Sequence, residues 1–273
     1  MESFRKKNSF IMRLSSEKKC EVSNNITIMN SNVNIGCCSS DFNNMDLEND
    51  YYPYNNKNPY DFEGATHNFL LKECEIYLDK NPCEKEDDLN CNVGKIVCFL
   101  KNSGYIVDEF SIYEMVKTVL EDADNYCLNV IKNSKLSDES KKILSDVINE
   151  LIVLSENEIS DYSIYKRAIL LYEDKTINST NTNEIDQILL LTSFSIMRYS
   201  LYYHFEKYET QNTLKSVSLK GWVKGLIVGV CDVAGGVIGG LGGSVAGPAG
   251  TVTGAATGAT AASTCADKIL NQK

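Results

Sequence analysis

The feature that most constrains the fold is a run of glycines near the C-terminus. Residues 221–265 hold 13 of the chain's 17 glycines, and between residues 225 and 265 the only charged residue is Asp232. The glycines recur every four residues, so the members of each series share one face of a helix. Because that face carries no side chains, a second helix can approach it closely. The series are Gly221, Gly225 and Gly229; Gly235, Gly239, Gly243 and Gly247; and Gly250, Gly254 and Gly258.

These glycines are costly in a helix that is exposed to water. Each is about 1 kcal/mol less favourable than alanine in a helix interior, so together they cost on the order of 10 kcal/mol. Close packing or an apolar medium must offset this cost. Gly247-Pro248 interrupts the run, because proline disfavours the helical conformation at the residue before it. We therefore predict a C-terminal glycine-zipper helical hairpin with helices over 219–246 and 251–268 and a turn at 247–250.

We predict that this hairpin associates with a membrane or with a second glycine-zipper helix, which can belong to another copy of the chain. Gly236 and Gly240 extend the apolar glycine surface, and Trp222 lies between two lysines, where an interfacial anchor belongs. Trp222 equally suits a core position. Each uncharged part spans about 25–35 Å, close to the thickness of a bilayer core. Two alternatives remain open: a hairpin packed on the chain's own helical domain, and a disordered tail.

Charge is distributed unevenly along the chain. The net charge is −10, but residues 25–210 carry −16, whereas residues 1–24 and 211–273 carry +3 each. Because phosphate binding needs clustered cations, this acidic centre argues against nucleic acid as a partner. Together with composition, the pattern predicts three segments, which are an Asn-rich 1–58, an acidic helical domain over 59–210 and the hairpin region 211–273.

The first two segments differ in their apolar content. Residues 1–58 contain 12 asparagines and few large aliphatic residues, so we predict that they are disordered. From residue 59 onward the periodicity is helical and predicts an all-α array of five or six helices. One predicted helix runs from Ile112 to Val130, Ser137 caps the next, and another runs from about Tyr162 to Tyr172. Residues 185–208 are apolar on nearly every side, which predicts a buried central helix.

Few residues offer catalytic chemistry. The chain has two histidines, His67 and His204, and neither lies in a catalytic motif. His67 lies on an apolar helix stripe, where a core position is favoured over a general base. The sequence has no phosphate-binding loop, no C-x-x-C and no zinc spacing among its ten cysteines. We therefore predict a non-enzymatic protein without a cofactor, with an enzyme using His67 as an alternative. The cysteines are interpreted as reduced core thiols, or as disulfides such as Cys83 with Cys91.

Two stretches carry a resemblance to a known family. Residues 58–71 match the pattern N-P-Y-x-x-x-G-x-x-H-N-x-x-L, with Gly64, His67 and Asn68 at its defined positions. Residues 194–203, followed by Trp222 and by residues 232–236, resemble the second half of the same uncharacterised bacterial proteins. The resemblance implies a shared fold over about 58–268. It also implies export or a cell-envelope location, although residues 1–20 lack the apolar stretch of a conventional signal peptide.

The C-terminal tail is also similar to the mature peptides of two-peptide bacteriocins, in which glycine-spaced helices pair and permeabilise membranes. This similarity is one of composition. It implies a larger protein with a bacteriocin-like tail, in which a helical domain shields or presents the hairpin.

Overall fold

The computed structural model describes residues 51–270 apart from short gaps, and residues 1–50 and 271–273 lie outside this description. The gaps are residues 86–87, 106, 108, 122, 158, 160, 213–218 and 245–246. Within the described residues every regular element is an α-helix, which confirms the all-α prediction. The nine helices found there are α1 (Phe62–Lys80), α2 (Leu89–Asn102), α3 (Glu109–Glu121), α4 (Ala123–Asn133), α5 (Asp138–Glu156), α6 (Tyr162–Ile177), α7 (Glu184–Asn212), α8 (Leu219–Gly243) and α9 (Gly247–Leu270).

The residues before α5 and α1 use their side chains differently. Ser137 caps α5 as predicted, and its hydroxyl accepts a hydrogen bond from the backbone N–H of Ser140 at 3.3 Å. This bond satisfies an N–H group that has no partner inside the helix. Asp61 precedes α1, but its side chain makes no capping bond and binds Arg198 instead.

Up to residue 212, the described residues form seven helical stretches, and the predicted count of five or six helices stays a prediction because residue 122, between α3 and α4, lies outside the description. The apolar spacing from Ile112 to Val130 belongs to two helices, α3 and α4, which flank residue 122. α6 also continues to Ile177, beyond the predicted end near Tyr172.

The two glycine-rich helices differ in extent from the helices predicted over 219–246 and 251–268. α8 ends at Gly243 and α9 begins at Gly247, so residues 247–250 form a helical turn and not the predicted connection. Gly247 has a φ of +79°, in the left-handed region that glycine adopts at little cost. Pro248 follows in the first turn of α9, where its missing N–H removes no helical hydrogen bond. The proline therefore marks a helix start.

The core is centred on α7 and α9. Every residue from 188 to 201 is buried, which confirms a buried helix for this part of the predicted range 185–208, whereas Glu206 is exposed. α9 is similarly enclosed, since between residues 251 and 266 only Thr253 is exposed. It packs against α1, α2, α3, α7 and α8. Asp46–Lys273 forms one compact unit, and side chains of α8 and α9 share its hydrophobic core with the other helices. The predicted boundaries at residues 58 and 210 stay predictions.

The prediction of disorder over 1–58 is wrong for residues 51–58, and residues 1–50 lie outside the described part of the chain. Asn55 and Asn58 are buried, and both donate side-chain hydrogen bonds to the carboxylate of Glu173 on α6. Arg198 of α7 donates to the backbone carbonyl of Pro53. The prediction of disorder rested on the low content of apolar side chains. Hydrogen bonds from asparagine amides and from the Arg198 guanidinium instead fix this segment against α6 and α7.

Candidate functional site

α8 and α9 contact each other through their glycines. A Cβ atom built on Gly239 would overlap the carbonyl group of Gly254, and one built on Gly254 would overlap that of Gly239. Backbone therefore packs on backbone, and a side chain at these positions would separate the helices. Three such pairs lie along the contact, which are Gly235 with Gly258, Gly239 with Gly254, and Gly243 with Gly250.

Other predicted glycines face α7 or have space around them. A Cβ on Gly240 would lie 2.6 Å from Leu189 Cδ1 of α7, so the end of that leucine side chain would have to shift. A Cβ on Gly229 would lie 3.4 Å from Leu201 Cδ2, which is an ordinary contact distance. Gly236 has room for a methyl group, since its nearest neighbouring atom would be 3.7 Å away. Spacing alone therefore does not separate the required glycines from the tolerant ones.

The start of α8 carries two further predicted residues. Trp222 and Gly225 lie on this helix, but their surroundings fall outside the described side chains. Among the described residues, none of the helices combines the length and the apolar character needed to cross a bilayer.

Gly64 lies where α1 crosses α7. Its N–H donates to Ser195 Oγ at 3.0 Å, and that hydroxyl donates to the carbonyl of Asp61 at 2.7 Å. A Cβ on Gly64 would lie 2.6 Å from the Ser195 carbonyl oxygen and would overlap the ring of Tyr199. The predicted motif glycine therefore permits close approach between two helices.

A buried charge cluster lies beside this crossing. Arg198 is fully buried on α7, and its Nε and Nη2 donate to the two carboxylate oxygens of Glu173 at 3.0 and 2.9 Å. Nη2 also donates to Asp61 Oδ1 at 2.5 Å. Desolvation by burial opposes the charged guanidinium, but the two carboxylates outweigh it and raise the pKa of Arg198. The cluster thus holds a permanent cation between two acids.

His67 forms the second buried polar contact, with Asp232 on α8. Both side chains are fully buried, and His67 Nε2 lies 3.4 Å from Asp232 Oδ1. Neither of these two atoms has a hydrogen-bond partner within the described part of the chain. Asp232 Oδ2 accepts a hydrogen bond from Ser200 of α7, and His67 Nδ1 lies 3.1 Å from Asn68 Oδ1. α1, α7 and α8 are therefore joined at one point.

The two stretches that carry the family resemblance contact each other in space. Asp61 binds Arg198, Gly64 contacts Ser195, and the side-chain amide of Asn68 donates to the backbone carbonyl of Tyr199 at 2.8 Å. Every one of these contacts joins α1 or the residue before it to α7. The motif residues thus form a helix–helix interface, and the family resemblance itself stays a prediction.

The buried groups are poorly placed for chemistry on a substrate. His67 and His204 are both buried, so neither reaches solvent in this conformation. No group of three or more His, Cys, Asp or Glu side chains in the described part of the chain is placed to hold a metal ion. Burial raises the pKa of the Cys74 and Cys127 thiols to about 12, which keeps both as thiols and disfavours them as nucleophiles.

Sequence reasoning missed Asp61, Glu173, Arg198 and Asp232 as partners. A usable signal was present for two of them. Arg198 is the only charged residue between residues 187 and 205, and Asp232 is the only one between 225 and 265. A lone charge in an apolar helix must be paired when that helix is buried. This rule predicts that each has a partner but does not identify it.

Comparison of the chain with protein-family models, with curated proteins and with solved structures finds no match.

Proposed function

We propose that the chain is a non-enzymatic bacterial interaction protein whose α8 and α9 form a glycine-zipper hairpin packed within its own helical bundle. The contact between Gly239 and Gly254 carries this proposal. Its closeness allows α9 to sit at the centre of the bundle with five helices around it. Burial of both histidines supports a role in binding over catalysis. The acidic charge of residues 25–210 supports a partner other than nucleic acid.

The position of Asp232 supports internal packing of the hairpin over insertion in lipid. Its carboxylate has a hydrogen-bond donor in Ser200 and a histidine at 3.4 Å, and both partners lie on other helices. If the hairpin left the bundle for a bilayer, Asp232 would lose these partners in a medium where a charged side chain is costly. The bundle therefore provides the environment that this residue needs.

A second candidate is a membrane-associating, bacteriocin-like role. In it, the helices that surround α8 and α9 separate from them and release the hairpin. The observation that favours it is the single charge between residues 225 and 265, within a pair of helices sheathed by the rest of the bundle. In this alternative the surrounding helices cover the apolar α8 and α9 until lipid or a second glycine-zipper helix replaces them as the packing partner.

The disulfide between Cys83 and Cys91 supports an exported or cell-envelope location. It joins the loop after α1 to the first turn of α2. Disulfides persist in oxidising compartments and are rare in the cytosol. The three described free cysteines, Cys74, Cys127 and Cys265, are all buried and are consistent with core thiols. Alkylation of the protein from its native host, followed by mass measurement with and without reductant, tests this location.

The decisive experiment compares Gly239→Leu with Gly242→Leu in the full chain. A Cβ on Gly239 meets backbone, whereas a Cβ on Gly242 has no atom within 4 Å. We expect Gly239→Leu to lower the free energy of unfolding by several kcal/mol and Gly242→Leu to change it little. For all three proteins we expect no dye release from anionic vesicles. Equal stability of the two variants excludes the packed hairpin, and dye release by the unsubstituted chain selects the membrane role.

A further inference from the structure

The orientation of the Asn68 side chain fixes one proton on the His67 ring. Asn68 Nδ2 donates to the backbone carbonyl of Tyr199 at 2.8 Å, and the amide oxygen Oδ1 lies 3.1 Å from His67 Nδ1. The reverse orientation of the amide would place its oxygen against the carbonyl oxygen of Tyr199, where neither atom can donate. Because Asn68 Oδ1 only accepts hydrogen bonds, Nδ1 carries the proton that it donates.

The other nitrogen of the ring faces Asp232. His67 Nε2 lies 3.4 Å from Asp232 Oδ1, and both side chains are fully buried. A neutral ring with its proton on Nδ1 has only a lone pair at Nε2. Two acceptors would then face each other in the core, and the carboxylate would be a buried charge without a cation, which is strongly unfavourable.

We propose that His67 carries a proton on both ring nitrogens and forms a buried ion pair with Asp232 whose strength depends on pH. A second proton on the carboxyl group of Asp232 fits less well, because a hydrogen bond donated by an O–H group has a length of about 2.7–2.8 Å. The observed 3.4 Å suits an ion pair. This pair attaches α1 to α8, the first helix of the glycine hairpin, and it goes beyond the proposed function.

Asp232 is the ionisable partner that the packing gives to this ring. It is the only charged residue between residues 225 and 265, so this part of α8 and α9 brings no other charge. On α7, Ser200 donates to Asp232 Oδ2, and Arg198 is bound to carboxylates of its own. His204 is buried one turn beyond Ser200 on the same helix, and its imidazole also takes up a proton near neutral pH when it is in water.

Further titratable groups lie on or against α1. The Cys265 thiol of α9 interacts with the Cys74 thiol of α1, and burial raises the pKa of both, so both stay neutral. Lys95 of α2 donates to two backbone carbonyls just beyond the C-terminal end of α1. Glu63 lies one turn before the histidine on α1, and burial raises the pKa of its carboxyl group to about 7. Its titration therefore has to be removed when the pH dependence of the ion pair is measured.

The ion pair makes folding depend on pH. An imidazolium in water loses its second proton at about pH 6.5, whereas the ion pair retains this proton in the folded chain. Above that pH, folding takes up one proton, so the stability that His67 contributes falls as the pH rises. The fall is at most about tenfold in the unfolding equilibrium constant for each pH unit. α1 thus holds the glycine hairpin more firmly at the lower pH.

Nitrogen NMR of the imidazole ring tests the protonation in the full chain, at about pH 7.5, where an imidazole in water is mostly neutral. We expect both nitrogens of His67 to carry protons, and Asp232→Asn to lose the second proton because its side chain has no charge. The matched control is Asp146→Asn, which removes a half-exposed carboxylate bound to Lys142 and should leave the His67 signals unchanged.

Spectra of His67→Gln or of His204→Gln assign the two histidines, so one folded variant of these two is sufficient. A bare Nε2 in the unsubstituted chain overturns the ion pair, as does a second proton that persists in folded Asp232→Asn.

Urea unfolding tests the pH dependence. The comparison uses Glu63→Gln as the background, because the carboxyl group of Glu63 titrates in the same range. We expect the advantage of His67 over His67→Gln in the unfolding equilibrium constant to decrease about fivefold between pH 6.5 and pH 7.5. Adding Asp232→Asn to both chains should abolish this decrease. An advantage that stays constant with pH overturns the pH-dependent ion pair.

Discussion

His67 on α1 and Asp232 on α8 lie 3.4 Å apart between Nε2 and Oδ1, and both side chains are fully buried. The chain thus places one of its two histidines against the only charged residue between residues 225 and 265. Burial removes both side chains from water, which is unfavourable for polar groups. Each is partly stabilised by the other, because they lie next to each other in the core. This contact joins α1 to α8, the first of the two glycine-rich helices.

A double-mutant cycle measures how strongly these two residues are coupled. We expect His67→Leu and Asp232→Leu to lower the free energy of unfolding by about 3 kcal/mol each, since each leaves a buried polar partner behind. The double variant should cost about 2 kcal/mol less than the sum of the two. Urea denaturation gives all four values. The control is the exposed pair Lys142–Asp146, for which we expect coupling below about 0.5 kcal/mol. Additive effects at His67 and Asp232 would contradict the coupling.

Arg198→Lys should destabilise the protein although it keeps the charge. A lysine ammonium cannot reproduce the paired hydrogen bonds to Glu173 while also reaching Asp61, so we expect a loss of about 3 kcal/mol. Because Arg198 also binds the carbonyl of Pro53, tryptic cleavage at the exposed Lys57 should become faster. The control is Arg167→Lys on the exposed side of α6, which should change stability by less than about 0.5 kcal/mol. An equal loss of stability in Arg198→Lys and Arg167→Lys would argue against the buried charge cluster.

Two glycine-to-alanine changes should have opposite signs. A Cβ on Gly254 meets the backbone carbonyl of Gly239, which cannot move without separating the helices, so we expect a loss of about 2 kcal/mol or more. A Cβ on Gly236 has its nearest atom at 3.7 Å, so alanine there should stabilise the helix by up to about 1 kcal/mol. Thermal or urea unfolding of both variants is sufficient. If both are destabilised alike, the contact is not specific to the facing glycines.

Glu63 predicts a pH dependence of stability. It is 5% exposed, and burial raises the pKa of its carboxyl group from 4.5 to about 7. Between these two values the unfolded chain ionises Glu63 and the folded chain keeps it protonated. Folding stability therefore falls as the pH rises from 4.5 to 7, by up to about 3 kcal/mol from this group.

Glu63→Gln removes that contribution, because glutamine does not titrate. We expect the difference in unfolding free energy between the variant and the unsubstituted protein to grow in favour of the variant from pH 5 to pH 8. Urea midpoints at the two pH values give this difference, and other titrating groups cancel from it when they are unaffected by the substitution. A difference that stays constant with pH would falsify the raised pKa.

Local signals in the sequence were sufficient for the helical class and for much of its detail. The cap at Ser137, the burial of the helix around Arg198 and the position of His67 on an apolar face all follow from residue types at short spacing. Such features depend on neighbours within about one helical turn. The order of residues 51–58 did not follow, because the hydrogen bonds of Asn55 and Asn58 to Glu173 do not appear in apolar periodicity.

The sequence by itself determined that the chain is helical and that its glycines recur at four-residue spacing on helix faces. Only the tertiary structure decided that Gly239 meets Gly254 while Gly236 keeps room for a methyl group, and that Arg198 is shared between Asp61 and Glu173. The physical reason is that spacing along one helix defines a face, whereas the partner of that face depends on how distant segments pack. A charged residue in an apolar helix indicates that it has a partner, but the identity of that partner depends on which segments pack beside it.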